Sequence, residues 1–397
     1  MHKLITPIFL IAGTSIGGGM LALPMVLAKL GLVVSLAIML LMWLLTYYSS
    51  LISVELNLHS DKGLSLGKLG RRFSGKYAEI VGEISVKLLS YALLSAFIYG
   101  ASSIIQKLLE EYLNYLMPII SIETYLSLIV IFVLSFPIKL ISRLNNLAFS
   151  GFLMMFAVLI AVITTAIDYT EIPWFIDFDV KYIAEVITVI FTSFGYQVIF
   201  HTLRDYFGKD AKSLRLSFLM GSFIPVIVYS LWTGVALSVI SKTNGNFFVK
   251  ITQGNVEVGA LIRELANVSR FSGFHILTWS MAIFAILTSI FGVGIGLTES
   301  IRASLKISHS VVRNLSAAGL TILPAYLLAA VIPNAFTKIL GFAGAILVVI
   351  AILLPAYLFI HARFEKVYLR ELKKWIIVIC SIIGIGIIFS EFIAHNL

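Results

Sequence analysis

The chain has 397 residues, of which 59% are apolar and only 12% are charged, and its mean hydropathy is +1.01. Soluble domains have about 25% charged residues, so a water-soluble globular fold is excluded. The formal net charge is +9. The basic residues lie in short gaps between long apolar runs, not in a stripe interleaved with aromatics, so they predict no nucleic-acid partner and indicate orientation in a bilayer. The one cysteine, Cys380, permits no intramolecular disulfide or cysteine metal cluster, and the sequence predicts no metal site and no cofactor.

Long apolar runs fill most of the chain and predict an all-α integral membrane protein. A spanning helix needs about 20 mostly apolar residues. Eleven runs meet this description, at residues 5–28, 31–54, 88–106, 121–138, 144–167, 186–203, 216–241, 271–298, 314–337, 339–362 and 375–393. With the N-terminus in the cytoplasm, most of the 29 Lys and Arg residues fall on the cytoplasmic side, which places the C-terminus outside a bacterial-type cytoplasmic membrane.

Two of these runs contain residues that oppose a continuous helix. The first has the sequence GTSIGGG, from Gly13 to Gly19, and the sixth has FTSFGY, from Phe191 to Tyr196. Each glycine weakens a helix by about 1 kcal/mol relative to alanine, so the first stretch unwinds easily. Unwound backbone inside a membrane is tolerated only where protein, water or a ligand satisfies its polar groups. Both stretches are therefore expected to line a polar cavity.

The spacing of the two interruptions predicts an internal repeat. They fall in the first and sixth runs, so each opens a block of five helices, and an odd number of helices per block makes the two blocks antiparallel. Interrupted helices at corresponding positions of two halves are typical of the binding site of an inverted-repeat transporter. We therefore expect a first repeat at 1–168, a second at 182–362, and a cytoplasmic linker with an eleventh transmembrane helix at 363–397. Broken helices offer positive N-termini for a carboxylate and carbonyls for an ammonium group.

Three stretches carry a resemblance to a known family. They are IAGTSIGGGMLALP in the first run, GLSLGKLGRRFSGKY after the second, and VIFTSFGYQ in the sixth. The chain resembles the hydroxy and aromatic amino acid permeases, and within them the tyrosine and tryptophan branch of the amino acid, polyamine and organocation superfamily. The resemblance implies a leucine-transporter-type fold of five plus five helices with helices 1 and 6 discontinuous. It also implies a secondary active transporter that imports tyrosine or tryptophan by ion-coupled alternating access, and not an enzyme.

The same resemblance implies the residues that bind substrate. Contacts to the substrate backbone are expected from Thr14, Ser15, Gly17, Gly18, Gly19, Phe191, Thr192, Ser193 and Gly195, with Phe194 and Tyr196 shaping the side-chain pocket. Independently of the family, Tyr91, Ser95 and Tyr99 recur at a spacing of four and share one helix face. That face either lines the cavity or packs against neighbouring helices.

The coupling ion is open at this stage. Sodium-coupled relatives imply a site between the carbonyls of Gly13 and Ile16 and the hydroxyls of Thr288 and Ser289. Proton-coupled relatives carry a lysine in the fifth helix, where this chain has Phe152, and the family's histidine after the sixth-helix motif is Gln197 here. The family favours a proton, with sodium as the alternative.

Two other functions are compatible with parts of the pattern. Import of serine, threonine or another small metabolite would use the same scaffold. A membrane-embedded enzyme would need clustered acids, histidines or a metal site facing an interface, and the sequence has no such motif. The expected partners are therefore an amino acid substrate and the lipid bilayer, and no obligate protein partner is implied.

Overall fold

The computed structural model describes residues 2–164, 173–176, 181–254, 256–267, 272–305, 307–332, 335–364, 366–369 and 373–396, and the regular structure within these ranges is helical, without strands. The helices are α1 (His2–Ser15), α2 (Gly19–Leu27), α3 (Leu32–Leu58), α4 (Leu66–Ser74), α5 (Lys76–Leu113), α6 (Ile119–Leu134), α7 (Ile138–Thr164), α8 (Lys181–Ser193), α9 (Phe200–Phe207), α10 (Ala211–Thr243), α11 (Gly245–Thr252), α12 (Val258–Ala266), α13 (Ser272–Ser304), α14 (Ser310–Val331), α15 (Ala335–Val348), α16 (Leu354–Ala362) and α17 (Lys374–Asn396). A 3₁₀ turn (Gln197–Ile199) precedes α9, and a π-helical segment (Val349–Leu353) joins α15 to α16.

Eight continuous helical segments in the described ranges are long and apolar enough to cross a membrane, and the bent pair α1 and α2 makes a ninth. The eight are α3, α5, α7, α10, α13, α14, α17 and the segment formed by α15 and α16. The helices α6 and α8 are apolar but shorter. In its described residues the chain is therefore all-helical, with eight or nine candidate spans of a multi-pass membrane protein. The predicted repeat boundary at residue 168 lies outside the described residues.

The first predicted break is present. The helix α1 ends at Ser15, α2 begins at Gly19, and the two axes differ by 56°. The last α-type hydrogen bond runs from Ile16 N to Ala12 O, and short-range bonds from Met20 N to Gly17 O start the next helix. Successive glycines from Gly17 remove the side chains that would resist this bend.

The second predicted break is also present. The helix α8 ends at Ser193, and the chain continues through Phe194, Gly195 and Tyr196 before α9 begins. Its last bonds are of the shorter i to i+3 type, from Phe194 N to Phe191 O and from Gly195 N to Thr192 O. Such tightening is common where an α-helix ends.

Helix boundaries differ from the apolar runs at several points. The ninth run, expected at 314–337, reaches into α15, because α14 ends at Val331 and α15 begins at Ala335. The fourth run was expected to extend to residue 138, but α6 ends at Leu134 and α7 begins at Ile138. Pro137 separates them, because proline cannot continue a helix but suits the start of one. Lys139 and Arg143, which lie between the fourth and fifth apolar runs, thus belong to α7. The third run, expected at 88–106, is the central part of the 38-residue helix α5.

Three short helices lie outside the apolar runs. The basic segment after α3 forms α4, which packs closely on α5, since a Cβ at Gly82 would lie 3.0 Å from Gly67 Cα. The chain between α10 and α13 forms α11 and α12, and α12 packs on α5, α13 and α2. The helix α12 is thus in contact with both broken-helix and continuous-helix elements, α2 on one hand and α5 and α13 on the other.

Candidate functional site

The two broken helices meet at their breaks. The Ser193 hydroxyl, at the end of α8, lies 3.4 Å from the carbonyl oxygen of Gly19, at the start of α2. Further along, Lys29 after α2 forms an ion pair with Glu185 of α8. The structure thus brings together the two stretches that the sequence singled out.

A tyrosine of α10 joins both breaks. The Tyr229 hydroxyl lies 2.7 Å from the carbonyl oxygen of Ser15 and 2.6 Å from that of Ser193, and these two residues are the last of α1 and α8. Tyr229 is fully buried. A helix C-terminus carries a partial negative charge, so two such ends face one hydroxyl hydrogen. The geometry suits a group with several N–H donors, such as an ammonium. Sequence reasoning missed Tyr229, because it is one tyrosine in a continuous apolar run.

A serine of α13 closes the first break from another side. The Gly18 N–H donates to Ser289 Oγ at 2.6 Å, and Ser289 Oγ donates to Ala285 O at 3.0 Å in its own helix. A Cβ at Gly17 would clash with Ser289 Oγ. Ser289 of α13 thus lies at the first break.

The other predicted ion ligands have different surroundings. Thr288 Oγ1 donates to Ala285 O at 3.0 Å, back into α13. Ile16 is buried, and Gly13 lies against the ring of Phe149 of α7, which a Cβ at Gly13 would approach to 2.9 Å. Phe149, and not Phe152, is thus the side chain of α7 that meets the first helix at this point.

The predicted substrate residues divide into two groups. Phe194 is buried at the breaks, with its ring 5.3 Å from the Tyr229 ring in an edge-to-face arrangement. Thr192 faces α15 instead, because its hydroxyl lies 2.8 Å from Leu340 O. Tyr196 packs with Phe218 of α10, at 6.0 Å between ring centroids, in the smaller hydrophobic cluster.

Four further members of the predicted set complete this description. Phe191 is fully buried, and Gly195 lies in the second break. The hydroxyls of Thr14 and Ser15 lie within hydrogen-bond distance of carbonyls one turn back in α1, at Leu10 O and Ile11 O.

The Tyr91 face of α5, for which the sequence left cavity lining and helix packing open, contacts a neighbouring helix at Tyr91. The Tyr91 hydroxyl donates to Leu320 O of α14 at 3.0 Å, and Ser95 is buried. Phe97 occupies the position against the first break, since a Cβ at Gly18 would lie 2.9 Å from its ring. A spacing of four identifies residues on one face of a helix but does not identify the neighbour of that face.

Gln197 begins the 3₁₀ turn after the second break. Its side chain is 8% exposed, and both amide atoms are buried without a hydrogen-bond partner among the described residues. A buried amide without partners costs about 1–3 kcal/mol. This position therefore suits a group that would supply the missing hydrogen bonds.

Comparison with known proteins gives the family. The family model of the tryptophan/tyrosine permeases matches residues 1–395. The chain belongs to the tryptophan/tyrosine permease family. This permease is 30% identical over 368 residues to the tyrosine-specific transport system 1 of Haemophilus influenzae, covering 91% of this chain and 89% of the relative. The family is one of permeases, so the enzyme alternative falls away.

Two other relatives broaden the comparison. The tryptophan-specific transport protein of Pseudomonas aeruginosa is 26% identical over 356 residues, covering 87% of this permease and 83% of the relative. Glutamine transporter 2 of Aliivibrio fischeri is 27% identical over 367 residues, covering 91% and 89%. The names of these relatives therefore refer to more than one type of amino acid.

Proposed function

We propose that this permease is a secondary active transporter of the bacterial inner membrane that imports tyrosine or tryptophan by ion-coupled alternating access. The observation that carries the proposal is the meeting of two broken helices whose terminal carbonyls share one buried hydroxyl. Membership of the tryptophan/tyrosine permease family and relatives named for tyrosine and tryptophan support the substrate class.

The ends of the broken helices supply the groups for the amino acid backbone. The carbonyls of Ser15 and Ser193 suit the ammonium group, which replaces the Tyr229 hydroxyl as their donor. The backbone N–H groups at Gly17–Gly19, at the start of α2, suit the carboxylate, since anions bind at helix N-termini. Thr14, Phe191, Thr192 and Gly195 belong to the helix ends that frame these groups.

Aromatic side chains at the breaks form the pocket for the substrate ring. Phe194 and Phe97 both lie at the breaks and offer edge or face contacts to a phenol or indole. Gln197 is close in sequence and has an amide in need of partners. We assign it to the polar edge of the substrate side chain, whereas Tyr91, Ser95 and Tyr196 shape the pocket only indirectly, through packing.

The topology that accompanies this function has eleven transmembrane helices. The first five and the next five form two inverted repeats, at 1–168 and 182–362, and the eleventh helix follows a cytoplasmic linker. The distribution of Lys and Arg supports a cytoplasmic N-terminus and an external C-terminus.

The coupling ion is proposed to be a proton, on the strength of the family. Sodium is the alternative, with the carbonyls of Gly13 and Ile16 and the hydroxyls of Thr288 and Ser289 as ligands. The contact between Gly18 and Ser289 supports the proximity that a sodium site requires. Accumulation driven by a proton gradient without sodium separates the two ions.

Counterflow in liposomes tests the transport function. Liposomes with the purified protein are loaded with unlabelled tyrosine, and entry of labelled tyrosine is measured against competing tryptophan, serine, threonine and glutamine. We expect competition by tryptophan. Strong competition by glutamine alone would show that this permease prefers glutamine, the amino acid in the name of one relative.

A pair of variants locates the site in the same assay. Ser193→Phe places a ring at the meeting of the breaks and is expected to abolish counterflow while the protein remains expressed. Ser150→Phe makes the same change at an exposed position of α7 and is expected to leave counterflow unchanged. Equal activity of both variants would refute the assigned site.

A further inference from the structure

A carboxyl group in α6 is buried without a partner. Glu123 is 1% exposed, and neither of its side-chain oxygens has a hydrogen-bond partner among the described residues. The hydroxyls of Ser127, one turn later, and of Ser102 in α5 are buried in the same condition. An ionised carboxylate in such surroundings is costly by several kcal/mol, whereas a protonated carboxyl is not. Glu123 in this arrangement is therefore suited to hold a proton.

A second carboxyl group lies near it, at the start of α12. Glu257 accepts hydrogen bonds from the Tyr99 hydroxyl at 2.7 Å and the Ser103 hydroxyl at 3.1 Å, both in α5. Gly259 N donates to Ser103 Oγ at 3.1 Å, and a Cβ at Gly259 would clash with the Ser103 carbonyl. These contacts hold α12 directly against α5.

The two carboxyl groups both lie against α5, because Glu257 is hydrogen-bonded to it and α6, the helix of Glu123, packs on it, and they are near enough to interact electrostatically. Glu257 has two hydroxyl donors to stabilise its charge, and Glu123 has none in the described structure. Two neighbouring carboxylates are not both ionised at low cost. Because Glu257 has hydroxyl donors and Glu123 has none among the described residues, Glu123 is the member of the pair that is suited to hold a proton.

Other ionisable groups on the surrounding helices have partners elsewhere. At the outer end of α5, Lys107 and Arg263 pair with Glu110, and His275 pairs with Glu111. These ion pairs leave Glu123 without a counter-charge in the described residues. Three tyrosine hydroxyls on these helices also have partners. Tyr99 donates to Glu257, Tyr112 lies within hydrogen-bond distance of His275, and Tyr326 of α14 lies within hydrogen-bond distance of Thr124, beside Glu123.

The carboxyl pair is linked to the substrate site through α5. Tyr99 and Ser103 hold Glu257, while Phe97 and Gly100, in the same two turns, face the first break and α15. A Cβ at Gly100 would lie 2.7 Å from the Phe336 ring. A displacement of α12 from α5 therefore changes contacts that lie within one or two helical turns of the breaks.

We propose that Glu123 binds the coupling proton of this permease, and that Glu257 is the neighbouring carboxylate that makes this proton necessary for α12 to dock on α5. The proposal rests on the transport function given above and adds the residue that carries the ion. With Glu123 ionised, repulsion from Glu257 favours separation of α12 from α5. A proton taken up by Glu123 removes the repulsion, and α12 docks on α5.

The first test separates proton-driven accumulation from exchange. The full chain in liposomes is assayed for tyrosine accumulation under an inward proton gradient and for tyrosine counterflow without a gradient. Glu123→Gln carries a permanently neutral group, so we expect accumulation to fall by about tenfold or more, the scale of a typical coupling free energy, while counterflow is retained. Glu83→Gln, the same change at an exposed position of α5, is expected to retain both activities.

The second test uses the pH profile of counterflow. The wild type is expected to lose counterflow as alkaline pH removes the proton from Glu123, and Glu123→Gln is expected to be independent of pH. Glu257→Gln removes the repulsion and is expected to extend counterflow to higher pH; it also tests the proposal if Glu123→Gln does not fold.

Three results would overturn the proposal. One is proton-driven accumulation by Glu123→Gln at the wild-type level, and another is a wild-type pH profile in both Gln variants. A third is accumulation by the wild type that follows a sodium gradient and ignores a proton gradient. Absence of counterflow by the wild type with every amino acid would refute the transport function itself, and the proton site with it.

Discussion

Replacement of Gly17 by alanine tests the contact between the first break and α13. A Cβ at this position would clash with Ser289 Oγ, the atom that accepts the hydrogen bond from Gly18 N–H at 2.6 Å. The serine can escape the clash only by rotating its hydroxyl away from Gly18. The variant thus exchanges a formed hydrogen bond at the break for an unsatisfied backbone N–H.

The expected loss follows from that hydrogen bond. A buried donor left without a partner costs about 1–3 kcal/mol, which corresponds to about 5–150-fold in an equilibrium constant. We expect Gly17→Ala to reduce tyrosine counterflow within this range at equal expression. Gly292→Ala is the matched control. Gly292 lies in α13, the helix that carries Ser289, and a Cβ there meets nothing within 4 Å.

A second substitution distinguishes this cause from a general effect on the helix. Ser289→Ala removes the oxygen with which the methyl group introduced by Gly17→Ala collides. The double variant is therefore expected to be no less active than Ser289→Ala alone, so that the two changes are not additive. Wild-type counterflow by Gly17→Ala, or full additivity in the double variant, would refute the reasoning.

Three further predictions concern binding, stability and pH. Tyr229→Phe removes the hydroxyl shared by two helix ends and leaves two buried carbonyls without that donor. Because the substrate ammonium then has no hydroxyl to replace, we expect a higher affinity for tyrosine with little change in expression, measured by competition in counterflow. Gly344→Ala brings a Cβ against a backbone carbonyl of α8 and is expected to lower the melting temperature in detergent, whereas Gly386→Ala meets nothing within 4 Å and is not. Asp210 caps α10 by accepting from Ser213 N at 3.1 Å and Ser213 Oγ at 2.7 Å, and these bonds lower the pKa of its carboxyl. Its stabilisation, about 1 kcal/mol for such a cap, is present above the unfolded-state pKa and is lost as pH falls through the lower folded-state pKa, so the difference in melting temperature between the wild type and Asp210→Ala should shrink in acid.

The breaks were predictable because their cause is local. Glycine lowers the cost of unwinding wherever it occurs, so Gly17, Gly18 and Gly19 in one apolar run point to a bend without knowledge of the neighbours. The second break was predicted in the same way, over the stretch from Phe191 to Tyr196. Both positions agree with the ends of α1 and α8 in the structure.

The partners of the breaks were not predictable, because they depend on which helices come together. Tyr229 lies in a run that has only helical apolar character, and nothing local to it marks a contact with Ser15 and Ser193. For the same reason the spacing of Tyr91 and Ser95 identified a helix face correctly but did not show that this face points to α14. The close approach of two helices is a tertiary property that a single sequence does not report.

The glycines of the first break have two physical consequences that belong together. Without side chains they let the helix unwind, and they also admit Ser289 to within hydrogen-bond distance of Gly18. Unsatisfied backbone groups inside a membrane cost several kcal/mol each. Side chains of unbroken helices satisfy them here, Ser289 from α13 and Tyr229 from α10.

On the proposed function, an amino acid gains only the difference between the free energy of its own hydrogen bonds and that of the hydrogen bonds it replaces. The backbone of every amino acid offers the same hydrogen bonds, so discrimination must come from the side chain, and burial of a large ring supplies the most apolar area. A transporter whose backbone site is already satisfied by its own hydroxyls therefore favours aromatic substrates over small ones.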